Sequence, residues 1–451
     1  MSTRSDIASE AYPLIRHARP DTIFAYRRGR PISAEHFLRD VAALARLMPA
    51  HRHVLNLCAD RYCFTLGLAA ALCRQQVSLL PPNDTPGMLQ AMIADFADLY
   101  CLTDGAPPAF AIPTMAFPLE LSARPDAAAV PILPATQLAL LLFTSGSTGR
   151  PKAAAKSWGA LARSALAAGD RLSVRSLPGA TVVGTVPHQH SYGLESTVLL
   201  ALQQGLALQA ERPFYPSDVV ACLDAVPRPR ILVTTPIHIR ALLGESGPLP
   251  SADLIVSATA PLSKGLAAEA EARFKAPLQE IYGCSEAGQI ATRRTAEGDA
   301  WQCLDGVALR QDEQGTWAAG APVEAETLLH DIIELDGRSG FRLLGRTADL
   351  VNIAGKRGSL THLDHQLTAI DGVVDGAFLM PDEGGDRVTR LVAFAVAPGL
   401  SPEAILSALR ERIDPAFLPR PLIILDSLPR NSLGKLPREA LLRLAARHGS
   451  R

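Results

Sequence analysis

The stretch Thr144-Ser145-Gly146-Ser147-Thr148-Gly149-Arg150-Pro151-Lys152 limits what this chain can fold into more than any other segment. Glycine is conformationally free and Ser/Thr side chains compete for backbone groups, so such a run does not hold a helix or strand. Leu138-Ala139-Leu140-Leu141-Leu142-Phe143 precedes it, a short apolar run expected to be a buried strand. Trp158 to Leu172 follows with helical spacing, and Ser157 stands where a cap belongs. The expected order is therefore strand, polar loop, helix, an arrangement in which free N–H groups and hydroxyls converge on an anion such as phosphate. A Walker A loop is excluded, because Gly146 and Gly149 are three apart and Lys152 follows an Arg-Pro pair.

Patterning on either side of this segment predicts alternating helices and strands. Ala34 to Leu47 and Tyr62 to Arg74 read as helices, and Val54 to Cys58 and Gln76 to Leu80 as strands. After the loop, strands are expected at Ala180–Pro187, Leu206–Gln209, Ile231–Thr234 and Asp253–Ser257, with a helix at Leu194–Gln204. That alternation implies a parallel sheet with crossover helices. The Ala/Pro-rich stretch from Ala106 to Pro134 reads as a loop-rich connection. From about Leu360 the scale changes to helix, strand, strand, helix, strand: His362–Ala369, Val373–Met380, Thr389–Val396, Pro402–Ile413 and Pro421–Leu425. The expectation is an α/β fold with two domains. A large N-terminal α/β body with mixed and parallel sheets covers residues 1–345, and a small C-terminal α+β domain covers residues 346–451.

A chain of 451 residues is too long for one ordinary core. Its net charge of −1 gives no global attraction to nucleic acid or acidic membranes. The longest apolar runs, such as Phe64 to Cys73, are too short to span a bilayer. Seven scattered cysteines without close pairing, and an N-terminus lacking the apolar stretch of a signal peptide, point to the cytoplasm.

Further motifs follow in order. Pro187-His188-Gln189-His190-Ser191-Tyr192-Gly193-Leu194 ends one predicted strand, and Ser257-Ala258-Thr259-Ala260-Pro261-Leu262 ends another. Ile281-Tyr282-Gly283-Cys284-Ser285-Glu286 comes next, then Asp331 fifteen residues before Arg346. Gly345-Arg346-Thr347-Ala348-Asp349 opens the second domain, with Gly355-Lys356-Arg357 just beyond. Leu428-Pro429-Arg430-Asn431-Ser432-Leu433-Gly434-Lys435-Leu436-Pro437-Arg438 lies near the end, in a tail with more basic than acidic residues.

These motifs, spanning residues 143 to 438, resemble those of the adenylate-forming superfamily: acyl-CoA synthetases, aryl-acid ligases, adenylation domains and luciferases. The resemblance implies a phosphate loop made of Thr144, Ser145, Gly146, Ser147, Thr148, Gly149 and Lys152. It implies that Ala258, Thr259 and Ala260 line adenine and the acyl pocket. Tyr282 and Gly283 would pack by adenine, Ser285 would bond the α-phosphate, and Glu286 would hold Mg²⁺, a hard cation for which one carboxylate plus phosphate oxygens suffices. Asp331 would accept from the ribose diol, and Arg346 would contact ribose or phosphate.

Lys435 would be the catalytic lysine, with Thr144 and Glu286 beside it in the reaction, and His190 would gate the acyl pocket. The small C-terminal domain would be a mobile lid with Ala348 at the hinge, and Gly355 would admit a thiol arm. The cofactors implied are ATP and Mg²⁺. The partners implied are a carboxylic acid and a thiol acceptor, either coenzyme A or an acyl carrier protein. The chain departs from the family at Ala258-Thr259, where two glycines are usual, and before Asp331, where Thr-Gly is replaced by Leu329-His330.

The short body and the 187–194 wall look most like small AMP-dependent ligases of aryl-polyene-type pigment clusters. That likeness implies an aryl acid loaded onto a carrier protein. An acyl-CoA synthetase for medium-chain or aromatic acids is the second reading, and a non-catalytic nucleotide-binding scaffold the third.

Overall fold

A computed structural model of the chain describes residues 10–81, 85–96, 98–108, 111–118, 121, 129–144, 152–337, 339–346, 350–353, 356–381, 390–431 and 436–448. A large N-terminal domain built on two sheets is followed by a small C-terminal one. The first sheet runs in the order 152–157, 138–144, 77–80, 53–56, 99–103, 114–116, parallel except at its first pair. The second has a parallel centre, in the order 278–284, 254–257, 230–234, 181–184, 207–209, 23–27. Antiparallel strands 288–293, 301–303, 340–346 and 331–336 extend one edge, and 30–33 extends the other.

Strand residues alternate between cores. Ile231, Val233, Leu254 and Val256 join the core that also takes Val54, Leu80 and Leu140 from the first sheet. Leu232 and Ile255 face the opposite side, against helices Pro216–Asp224, Pro236–Leu243 and Lys264–Phe274. Burial on both faces is why these strands are continuous apolar runs. The helix Arg61–Cys73, buried on nearly every side, starts where the Asp60 carboxylate accepts the Cys63 N–H at 2.9 Å. The expected helix Ala34–Leu47 keeps its limits, capped by Ser33.

Two expectations are corrected. Ala106–Pro134 is not all connection, since Thr114–Ala116 and Ile132–Pro134 are short strands. Nor does the polar loop lead directly into a helix. Lys152–Ser157 is a strand that returns antiparallel to Leu138–Thr144, with Lys152 opposite Thr144. Cross-strand pairing there overrides the helix propensity of its alanines. The helix Trp158–Arg171 starts only after that strand, where the Ser157 hydroxyl accepts the Ala160 N–H. Its N-terminus is thus at the far end of the hairpin from the loop and cannot serve the anion.

The small domain has the expected order from residue 360: helix Leu360–Thr368, strands Asp375–Leu379 and Val392–Val396, helix Pro402–Arg410 and strand Leu422–Ile424. The strands Leu350–Ile353 and Lys356–Ser359 before it and the helix Arg438–His448 after it were not expected. It buries its own core of Leu363, Leu367, Phe378, Ile405 and Leu409. The seven cysteines are unbridged, and no described helix is long and apolar enough to cross a membrane.

Candidate active site

Ligands of open α/β sheets sit beyond the carboxyl ends of parallel strands. The chain places its candidates there: His190 after strand 181–184, Ala258 to Ala260 after 254–257, and Ser285 and Glu286 after 278–284. Tyr192 ties two of these ends together, since its hydroxyl lies 3.0 Å from both the Thr234 and Val256 carbonyl oxygens. Burial raises the pKa of that phenol, so it stays a donor.

Tyr282 packs its ring against the stacked pair Trp301 and Phe341, with centroids 5.7 and 5.5 Å away. Its hydroxyl donates to the Asp331 carboxylate at 2.7 Å. Asp331 is directly opposite Arg346 in the hairpin of strands 331–336 and 340–346. Two residues fifteen apart in sequence are thereby backbone neighbours, and two candidates for the nucleoside, Tyr282 and Asp331, are in direct contact. The Arg346 side chain lies outside the described residues.

The turn after Tyr282 is tightly closed. A Cβ at Gly283 would fall 2.2 Å from the Gly288 carbonyl oxygen, so only glycine fits. Ser285 is half-buried and Glu286 exposed at the tip. Among the described residues no group of three metal-binding side chains gathers. A single exposed carboxylate fits Mg²⁺, which takes oxygen ligands, retains waters and accepts phosphate oxygens.

Thr259 adopts φ +81, a left-handed conformation that non-glycine residues rarely hold. This is one of the two positions where the family usually has glycine. The backbone keeps the glycine-like shape, and a β-branched side chain rides on it. Ala258 beside it is buried.

Of the two histidines, His188 is structural. It is fully buried, its Nε2 is 3.0 Å from the Cys58 carbonyl oxygen, and desolvation lowers its pKa to about 3. His190 is half-buried at the start of the segment Ser191–Gly193.

Ser145, Gly146, Ser147, Thr148, Gly149, Ala348, Gly355 and Lys435 lie outside the described residues, as does the Thr144 side chain. Lys152 is exposed on the returning strand. Just before Lys435, Arg430 makes two 2.8 Å hydrogen bonds to the Asp375 carboxylate, which anchors the approach to that lysine.

Sequence reasoning missed Lys156, Glu195 and Arg61. All three are buried charges among apolar neighbours, where the ordinary expectation is exposure. Arg61 donates to the carbonyl oxygens of Gln209, Glu211, Gly184 and Val186, joining strand ends 181–184 and 207–209. Desolvation lowers its pKa to about 10, which leaves it charged at neutral pH.

The two-sheet body, the strand-end crevice and the small C-terminal domain define the architecture of adenylate-forming enzymes. ATP-bound MatB from Rhodopseudomonas palustris superposes with a TM-score of 0.80 at 19% identity, covering 95% of this chain and 97% of that one. The sequence matches the AMP-binding enzyme family over residues 47–324, and the chain belongs to that family. A 4-coumarate–CoA ligase from Rhodobacter capsulatus is 32% identical over 268 residues, covering 59% of this chain and 66% of the relative. A 3-hydroxybenzoate–CoA/4-hydroxybenzoate–CoA ligase from Thauera aromatica is 27% identical over 353 residues, covering 67% and 66%. The chain thus spans just under two thirds of each relative's length.

Proposed function

We propose that the protein is an AMP-forming acid–thiol ligase acting on an aryl acid. The observation that carries this is the Tyr282–Asp331 hydrogen bond on the strand that leads into the Ser285–Glu286 turn, in a member of the AMP-binding enzyme family. The Rhodobacter and Thauera relatives are named as ligases that join aromatic acids to coenzyme A, which supports an aryl substrate.

In this reading a carboxylate oxygen attacks the α-phosphorus of ATP. The bond to the bridging oxygen breaks, and pyrophosphate leaves. Acyl-AMP then passes its acyl group to a thiol, releasing AMP. Asp331 and Tyr282 hold ribose and adenine, while Ser285 donates to the α-phosphate. Lys435 and the loop Thr144 to Gly149 supply fixed donors where negative charge gathers. Glu286 would hold Mg²⁺, which would supply charge neutralisation at the phosphates. The Ala258–Ala260 segment and His190 wall the acid.

The domain boundary falls at residues 345/346. There Gly345, at φ +149, packs so closely on Ser359 that a Cβ would lie 1.9 Å from its hydroxyl. Unbridged thiols suit a cytoplasmic enzyme. The acceptor is coenzyme A or an acyl carrier protein, and an origin in an aryl-polyene-type cluster would favour the carrier.

Pyrophosphate release should be followed with ATP and Mg²⁺ across benzoates, cinnamates and fatty acids, with and without coenzyme A. Release that depends on aryl acids supports the reading, and stimulation by coenzyme A selects it over carrier loading. Turnover of aliphatic acids alone overturns the substrate assignment, and no release with any acid returns the scaffold reading.

A further inference from the structure

The turn that carries Ser285 and Glu286 is held at both ends by two buried charges. On one side the Lys156 ammonium, 3% exposed, donates to the Glu286 carbonyl oxygen at 2.5 Å. On the other the Glu195 carboxylate, 5% exposed, accepts the Gln289 N–H at 3.0 Å. Glu195 also accepts from the Ser191 hydroxyl at 2.6 Å and lies 3.4 Å from that of Ser164. Its neighbour Ser196 accepts from the Gln289 side-chain amide at 2.9 Å.

Two successive helix residues reach the same turn because Leu194–Leu199 is wound as a π-helix. Such windings are rare and recur at functional sites. The fit is close: Gly288 sits at φ +84, and a Cβ there would be 3.2 Å from a Glu195 carboxylate oxygen. Lys156 and Glu195 line one small cavity with Ser164, Ala287 and Gly288. Charges this buried are costly unless bonded, and their bonds here go to the turn and to the helices that frame it.

We propose that Lys156 and Glu195 are positioning residues. Acting on the backbone at Glu286 and Gln289, they set the direction in which the Glu286 carboxylate meets the metal of an ATP·Mg²⁺ complex. Neither touches the nucleotide. The inference rests on the proposed role of Glu286 and adds a residue pair from two distant segments. It also joins metal binding to the acid pocket, because Ser191, bonded to Glu195, directly follows His190.

Lys156→Met and Glu195→Gln are the variants to test, each near its parent in size. The primary readout is the calorimetric dissociation constant for ATP with Mg²⁺ and with chelator, beside the thermal midpoint. A charge-assisted hydrogen bond justifies an expected loss of about tenfold in Mg²⁺-dependent affinity, with Mg²⁺-free affinity held within about twofold. The Mg²⁺ concentration giving half-maximal pyrophosphate release should rise in parallel. Equal loss with and without Mg²⁺, or no loss, overturns the positioning role and leaves the pair structural. If one variant fails to fold, the other decides between these outcomes. Were the wild type to bind ATP·Mg²⁺ without releasing pyrophosphate for any acid, the ligase reading would fall while the positioning role stood on the binding data. No ATP·Mg²⁺ binding by the wild type overturns both.

Discussion

The body and the C-terminal domain hold their candidate residues in different ways. In the body, several described candidate segments are tied down by buried polar groups: Tyr192 on two strand ends, Arg61 on two others, Lys156 and Glu195 on the 285–288 turn. The small domain has a separate core, and its described contacts with the body include Gly345 on Ser359 and Arg240 with Asp375 at 3.9 Å. Interfaces of that kind permit relative motion, whereas a shared apolar core does not. The difference suits a site in which the nucleotide is held still while the group that acts on it arrives and leaves.

The largest expected effect breaks the body side. Arg61→Ala should destabilise the body by about 3 to 5 kcal/mol, since it leaves several buried carbonyls unpaired at about 1 kcal/mol or more each. Chemical denaturation checks this. The small domain packs its own core of Phe378, Ile405 and Leu409. A split transition whose second step does not move is therefore expected if the two units unfold independently.

Next in size is Lys435→Ala. It should lower acid-dependent pyrophosphate release by about 100-fold or more while ATP binding stays within about threefold, because donors aimed at developing charge act on the transition state. Calorimetry and a pyrophosphate assay separate the two. Unchanged release would place the decisive cation in the body instead and remove the contrast between the regions.

Much of this was legible in the sequence where local signals and tertiary structure agree. The helix Ala34–Leu47, the Ser157 cap and the order of elements in the small domain follow from spacing and capping alone. Lys152–Ser157 was not legible, because its alanines favour a helix and only pairing with Leu138–Thr144 makes it a strand. The antiparallel strands from 288 to 346 were missed for a related reason, since Trp301–Cys303 is too short to show a period and Asp331–Asp336 and Gly340–Arg346 do not alternate regularly. At the site, motif residues could be found by pattern, and Asp331 could be placed near Arg346 only by counting. Lys156 and Glu195 carry no local sign of burial, because what buries them is a winding of the 194–199 helix and a turn far away in sequence. The two histidines show the same limit, as spacing cannot tell the buried His188 from His190.

A separate effect governs how the body responds to pH. Burial lowers His188 to about 3 and His17 to about 4, from the ordinary 6.5. Both folded-state values are depressed, so the unfolded chain binds more protons between those values and 6.5. The body's stability is therefore full above about pH 6.5 and falls as the pH drops toward about 4, by up to about 1.4 kcal/mol per pH unit for each ring. Denaturation at about pH 5, 6 and 7 checks the slope, and His188→Gln should reduce it, with His17 and the likewise depressed His53 and His238 carrying the rest. A slope that His188→Gln leaves unchanged would assign the pH dependence to other groups.

The smallest effect sharpens what the body does for the nucleotide. Tyr282→Phe keeps the ring against Trp301 and Phe341 and removes only the hydrogen bond to Asp331. Loss of one such bond corresponds to about 1 kcal/mol, or a rise of about fivefold in KM for ATP, with kcat nearly unchanged. That split is expected because a bond orienting the ribose acceptor contributes equally before and during the reaction. A fall in kcat at constant KM would instead mean that the Tyr282–Asp331 pair strengthens as the α-phosphate reacts, and it would move the pair from holding the nucleotide to assisting the chemistry.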